Sequence, residues 1–339
     1  MNILIVKIGA IGDVVMCLPL VSHIRKKHPD ARISWLCGSQ VAGLLRQFSE
    51  IDEVIEVDEK RLITGSIPAR IATVFKVWSQ ISFRTYDKVL YFYFSNLYKL
   101  LILPVFSRQL DRFEKNPSKR QNPIPGRHHS WEYIQTFEQS EGPFTFSLSY
   151  PQFQYENPSH RHFRAKLTGR KVIALSCGGA KNILRDDDLR RWPVEQYREL
   201  AVLLMQDGYE IILTGAPSDA WVKEYFKGLD CHDFIGEGGL NDFISLLKTV
   251  DLLITHDSGP LHLADLANCP VLGLFGPTIP MEKASLQTKS AWIWGGEHLH
   301  CRPCYDGRNY EKCSSNVCLK SVSPHLVFEK VKLMLADQG

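Results

Sequence analysis

A Gly-rich turn, Gly9-Ala10-Ile11-Gly12, follows an apolar run at residues 2–8 and delivers Asp13 at the head of a helical pattern. A carboxylate in that place has two uses. It can cap the helix by accepting backbone N–H bonds, or it can take a proton from a reacting hydroxyl, because open α/β sheets place their ligands at the carboxyl ends of strands. The helix N-terminus favours the ionised form, so Asp13 would be a weak base that acts late in a displacement. On this reading Asp13→Asn keeps most of the capping capacity and leaves stability nearly unchanged. The turn lacks the third glycine of the dinucleotide fingerprint and the Lys of a P-loop, so neither an NAD nor a Walker-type site is supported there.

A second constellation, Thr255-His256-Asp257-Ser258-Gly259-Pro260-Leu261-His262, sits between an apolar strand-like run and a helical register. Ser258 and Gly259 would offer a hydroxyl and open backbone N–H groups at a helix N-terminus, which suits a diphosphate. His262, four residues after Ser258, would share its helical face. The plainer alternative is a helix cap at Asp257 or Ser258 with His262 in the core. Near the C-terminus Cys301, Cys304, Cys313 and Cys318 are spaced C-x2-C-x8-C-x4-C. Four thiolates so spaced could close a tetrahedral zinc or iron site, or remain ordinary thiols or a redox pair.

The elements that must position these residues follow from periodicity. After the first run, apolar residues at Val14, Val15, Leu18, Val21 and Ile24 recur at helical spacing up to a stop at Arg25-Lys26-Lys27-His28-Pro29. Strand-like runs at 32–37, 54–57 and 88–94 alternate with helix-length segments, which predicts a parallel sheet covered by helices. The apolar stretch 89–106 is broken by Ser95, Asn96, Lys99 and Pro104 and reads as a buried strand plus helix, too interrupted to span a bilayer. Residues 106–151 read as a basic, loop-rich excursion carrying Arg108, Arg112, Lys115, Lys119, Arg120, Arg127, His128 and His129, whose cations are either solvated or meet acceptor phosphates or a membrane surface. The rhythm then restarts with strands at 172–176, 211–214, 252–255 and 271–275 and helices near 193–206, 218–227, 240–249 and 258–267. This predicts an N-terminal domain over 1–160, a second α/β domain over 165–322, and a helix within 323–339 that packs back across the two.

Composition agrees with a two-domain globular chain: 339 residues, 44% hydrophobic and 23% charged. A formal net charge of +3 is too small to imply nucleic-acid binding. No secretion signal is read at the N-terminus, and Cys17, Cys37, Cys177, Cys231 and Cys269 lie in apolar contexts, so a reducing cytoplasm is expected.

Gly12-Asp13, Arg190-Arg191-Trp192-Pro193, Asp257-Ser258-Gly259-Pro260 with His262, and Phe275-Gly276-Pro277-Thr278 together resemble the motif set of the heptosyltransferase family, in order and over nearly the whole chain. The resemblance implies the α/β GT-B fold, two Rossmann-like domains with parallel sheets facing a cleft, with acceptor on the N-terminal domain and nucleotide-sugar donor on the C-terminal one. It implies transfer of a sugar, heptose from ADP-heptose, to a glycan acceptor, with no organic cofactor. Asp13 resembles the general base, and Ser258, Gly259 and His262 the donor-diphosphate contacts, with Asp257 on sugar hydroxyls. Arg190 stands where the family usually carries a Lys that neutralises the departing diphosphate, and Arg191 beside it is the other candidate. Asp219 is either a ribose contact or a helix cap. Two further classes share this two-domain plan: a nucleotide-sugar epimerase, which needs no acceptor, and a catalytically silent binding protein.

Overall fold

The computed structural model describes residues 1–93, 96–113, 124–140, 148–167, 169–181, 186–305, 310, 313 and 315–336. Its contacts divide the chain into two units, Met1–Gln154 and Tyr155–Gly339.

The first unit runs β1 (Asn2–Val6), α1 (Ile11–Lys27), β2 (Arg32–Gly38), α2 (Ser39–Leu45), β3 (Glu53–Val57), α3 (Glu59–Thr64), α4 (Ile67–Ile81), β4 (Thr85–Tyr91), β5 (Phe106–Arg112) and α5 (His129–Glu138). Its sheet has the order β3-β2-β1-β4-β5 with every pairing parallel. β1 is buried on both faces after Asn2, as a central parallel strand must be, which explains its unbroken apolar run. α1 buries Val14, Val15, Leu18, Val21 and Ile24 and ends before Pro29 with Arg25, Lys26 and Lys27 in its last turn, where cations suit the helix C-terminus.

The second unit runs α6 (Pro158–Lys166), β6 (Val172–Ser176), α7 (Val194–Gln206), β7 (Glu210–Gly215), α8 (Val222–Tyr225), β8 (His232–Ile235), α9 (Leu240–Leu247), β9 (Leu252–His256), α10 (Gly259–Ala267), β10 (Val271–Phe275), α11 (Pro280–Lys283), β11 (Ala291–Trp294), α12 (Val317–Lys320) and α13 (Pro324–Ala336). Its sheet order is β11-β10-β9-β6-β7-β8, again all parallel. α13 packs on α7, and Val327, Val331, Met334 and Leu335 join the core of this unit.

Three sequence readings change. The excursion expected from residue 106 begins with a strand, β5, and contains α5; Lys115, Lys119 and Arg120 lie outside the described residues. The described basic groups there are committed internally. His128 Nδ1 accepts from the Ser130 N–H, and Arg127 Nε and Nη2 donate to the buried Glu132 carboxylate at 2.5 and 2.9 Å. The helix expected after β4 is a short 3-10 turn, Leu97–Ile102, and it leaves Leu100 exposed. β8 and β11, edge strands of four residues, were not anticipated: half of β8 is polar, and the apolar run of β11, Ala291–Trp294, is too short to tell a strand from a loop.

Candidate functional site

Each sheet has one place where the chain order reverses. In the first it falls between β1 and β4, in the second between β6 and β9. The strands there diverge into loops in opposite directions, which opens a crevice at their carboxyl ends. The residues singled out by sequence gather at these two places. A cavity of about 510 Å³ beside Arg25, Pro29, Asp30 and Arg32 lies instead at the start of β2, the end of the sheet away from the crevice.

In the first unit Val6 pairs with Tyr91, so the continuations of β1 and β4 leave the sheet side by side. The Tyr93 hydroxyl accepts from the Ile8 and Gly9 N–H groups at 2.7 and 3.1 Å and donates to the Gly9 carbonyl, fixing the turn that precedes α1. Ala10 is the N-cap of α1, with no side-chain capping bond, and Asp13 falls in the first turn. This corrects the expectation that Asp13 occupies the cap. Its Oδ2 accepts from Lys7 Nζ at 2.9 Å, and the ammonium also lies over the Tyr93 ring, 4.8 Å from its centre. The Lys7 side chain is 6% exposed and that of Asp13 39%. Burial pulls the Lys7 ammonium down, but Asp13, Tyr133 and Cys17 together outweigh it and the pKa is held above its ordinary value. Lys7 was visible in the sequence only as the one charge in an apolar strand, which a strand end can also carry for no functional reason.

In the second unit Ser176 pairs with both Thr214 and Thr255, so the loops after β6, β7 and β9 emerge together. Asp219 ties two of them: its carboxylate accepts from the Gly179 N–H at 3.1 Å and the Ala216 N–H at 2.9 Å. A side chain on Gly178 would place its Cβ 2.3 Å from Asp219, so this close approach requires glycine. Ser258 is the N-cap residue of α10, with its hydroxyl turned to the His256 carbonyl at 3.3 Å. Gly259 is the first residue of the helix, and His262 is buried one turn on.

The charged centre of this crevice is Asp257, which is 2% exposed. Its Oδ2 lies 3.5 Å from Arg190 Nη1 and 3.7 Å from Lys283 Nζ. Burial alone would raise this carboxyl, but Lys283 and Arg190, then His262, hold it well below the usual carboxylate range. Arg190 also pairs with Asp187 at 3.0 Å, and its Nε is buried without a hydrogen-bond partner among the described residues. Arg191 faces elsewhere: its Nε donates to the Gly179 carbonyl at 2.9 Å and its Nη2 to Asp186. The two arginines are thereby separated, Arg190 beside Asp257 and Arg191 as a brace of the glycine loop. Lys283, at the end of α11, escaped sequence reading because nothing in its spacing links it to Asp257. His256 lies beneath, fully buried with Nδ1 3.2 Å from the Tyr197 hydroxyl, and burial together with Arg191 and Arg190 pushes its pKa down to about 3, so it is neutral.

The cysteine quartet is drawn into one neighbourhood. Cys318 is buried, Cys304 half-buried, Cys301 and Cys313 exposed; burial, then the proximity of Cys318, Cys301 and Cys313, raises the Cys304 thiol. Among the described residues no three His, Cys, Asp or Glu side chains are gathered into an arrangement that could hold an ion.

Two parallel α/β units, each with a cluster of charged side chains at the switch point of its sheet, define the GT-B fold class. The profile of glycosyltransferase family 9 (heptosyltransferase) matches residues 108–314, more than half of the chain, and the protein belongs to that family. It is a glycosyltransferase. The chain is 23% identical to the lipooligosaccharide heptosyltransferase 2 of Haemophilus influenzae, with 99% of this chain and 100% of that protein covered. The fold is shared with the glycosyl transferase family 9 protein from Veillonella parvula, at a TM-score of 0.75 and 20% identity over 99% of this chain and 97% of that one. It is shared also with the ADP-heptose heptosyltransferase II of E. coli, at a TM-score of 0.71 and 20% identity over 100% of this chain and 99% of that one.

Proposed function

We propose that the chain transfers heptose from ADP-heptose to a glycan acceptor by inverting displacement. The observation that carries this reading is the pair of cations, Arg190 and Lys283, held on one buried carboxylate directly before the N-terminus of α10. Positive groups fixed in advance beside backbone N–H donors stabilise the charge that grows on a departing diphosphate. In the step itself the acceptor oxygen bonds to the anomeric carbon and the bond from that carbon to the diphosphate oxygen breaks. ADP leaves with the bonding electrons, and Asp13 accepts the acceptor's hydroxyl proton. Lys7 Nζ, donating to Asp13 Oδ2, holds that carboxylate in place. Ser258, Gly259 and His262 contact the diphosphate, Asp257 sets the position of both cations beside the sugar, and Arg191 and Asp219 hold the loops that shape the donor site.

The protein works in this reading at the cytoplasmic face of a membrane; among the described residues no helix is long and apolar enough to cross one. The C-x2-C-x8-C-x4-C spacing of Cys301, Cys304, Cys313 and Cys318 keeps a structural zinc or iron ion within the proposal, although among the described residues these side chains are not gathered for one. Metal analysis of protein purified without chelator should then find about one ion per chain; metal-free protein identifies ordinary thiols. The activity is tested by incubation with ADP-heptose in the presence and absence of a core-glycan acceptor. A glycoside of inverted anomeric configuration and free ADP, both dependent on acceptor, are expected. An altered nucleotide sugar formed without acceptor identifies an epimerase instead, and donor binding without turnover a silent binder.

A further inference from the structure

Helix α4 carries apolar side chains on two adjoining faces. Val74, Val77 and Ile81 enter the core of the first unit, as an amphipathic helix requires. Ile67, Ile71 and Phe75, at i, i+4 and i+8, form a second stripe that faces outward and is 73%, 51% and 59% exposed. The stripe does not stand alone. The Phe75 and Trp78 rings meet edge to face at 5.3 Å, and Trp78 Nε1 donates to the Leu100 carbonyl at 2.9 Å. Leu100, Leu103 and Phe106 are exposed in turn, and the Phe106 N–H reaches the Arg84 carbonyl just after the fully exposed Phe83. An outward surface of this kind, continuous across a helix, a 3-10 turn and a strand start, needs a cover.

Charge decides what the cover is. Between residues 65 and 110 the bases are Arg70, Lys76, Arg84, Lys88, Lys99 and Arg108, and the only acid is Asp87. Arg84 and Arg108 are held in ion pairs, and Lys88 pairs with Asp111, but Lys76, beside Phe75, and Lys99, beside Leu100, have no carboxylate partner among the described residues. Exposed Ile, Leu and Phe interleaved with unpaired lysines are the composition of a surface that lies in a lipid interface, with rings and aliphatic chains among the acyl groups and ammonium groups at anionic headgroups. A second copy of the chain would meet the same excess of like charge and repel it.

We propose that this face, α4 with the turn at Leu100–Phe106, seats the protein on an anionic bilayer. The proposal deepens the membrane placement given above, but its test does not use turnover. The full chain is sedimented with vesicles of phosphatidylcholine alone and of phosphatidylcholine mixed with phosphatidylglycerol, at low and high salt. Binding to the mixed vesicles, weakened by salt, is expected. Ile71→Ser with Phe75→Ser should lower the partition at least tenfold, and Lys76→Glu with Lys99→Glu by about fivefold or more for each cation lost. Ile71, Phe75 and Lys76 are exposed and Lys99 is half-buried, so the melting temperature and donor-induced thermal shift of both variants should stay close to the parent. The control pair Leu326→Ser with Leu333→Ser, exposed on α13, should bind as the parent does. Parental vesicle binding by the α4 variants overturns the proposal, as does absence of binding to anionic vesicles. A concentration-dependent dimer that the α4 variants alone dissociate overturns it in favour of self-association.

Discussion

A buried ammonium needs a counter-charge, and Lys7 finds it in Asp13. The sequence reading, in which Asp13 is a base at a capping position that Asn could also fill, makes Asp13→Asn nearly neutral for folding; the structure does not. Removing the carboxylate leaves Lys7 charged in a dry site, a loss of about 1–3 kcal/mol, kept below the range for fully buried pairs because Asp13 is more than a third exposed. The variant should also lose about 10²–10⁴-fold in turnover, the usual worth of a base. The two effects separate in a double variant. Lys7→Met with Asp13→Asn removes both charges and should recover most of the stability by denaturant titration, while turnover stays low. Recovery of turnover along with stability would mean that Asp13 serves folding alone. At this scale the sequence marked Asp13, Ser258, Gly259 and His262 because each follows a strand and opens a helix, a pattern with a fixed chemical meaning. It left Lys7 and Lys283 unmarked, because their partners are fixed by three-dimensional proximity that no local spacing records.

Among elements, the turn after β6 carries the tightest constraint. Gly178 lies against Asp219, whose carboxylate holds the Gly179 and Ala216 N–H groups and so fixes the mouths of two loops at once. Gly178→Ala brings a methyl group to 2.3 Å from that carboxylate, and Asp219 must shift and release its donors. Overpacking of this kind costs about 1–3 kcal/mol, expected as a lower denaturation midpoint with unchanged slope. The donor-induced thermal shift should fall with it, because the released loop borders Ser258, 3.4 Å from where a Cβ on Gly179 would stand. A stability loss with undiminished donor binding would detach this loop from the donor site. The helices α7, α9 and α10 were readable because their apolar faces repeat over two or more turns. Gly178-Gly179 was not, since paired glycines after a strand serve many turns, and what selects this one is Asp219, forty residues away.

For the whole molecule, alternation of apolar strands and amphipathic helices made the two α/β units legible, because parallel sheets bury their strands on both faces. The sheet orders were not legible, since a parallel strand carries no mark of which neighbour it will take. Two units with separate cores need not unfold together, and their titration differs. The second unit buries His256 neutral with a pKa of about 3, against an ordinary value of 6.5. Below pH 6.5 the unfolded chain takes up this proton and the folded one does not, so the contribution of neutral His256 is complete above pH 6.5 and is lost progressively down to about pH 3. His160, also lowered by burial, acts in the same direction, and Asp257, held below the carboxylate range by Lys283 and Arg190, adds its own loss once the pH falls through the ordinary carboxylate value. Calorimetry between pH 7 and pH 5 should therefore show the transition of the second unit moving to lower temperature, with His256 contributing up to about 1.4 kcal/mol per pH unit. His256→Asn keeps a hydrogen-bonding side chain for the Tyr197 hydroxyl but cannot take the proton. It should be less stable than the parent at pH 7 and depend less steeply on pH, by about one proton. An unchanged slope in this variant would place the acid sensitivity elsewhere in the chain.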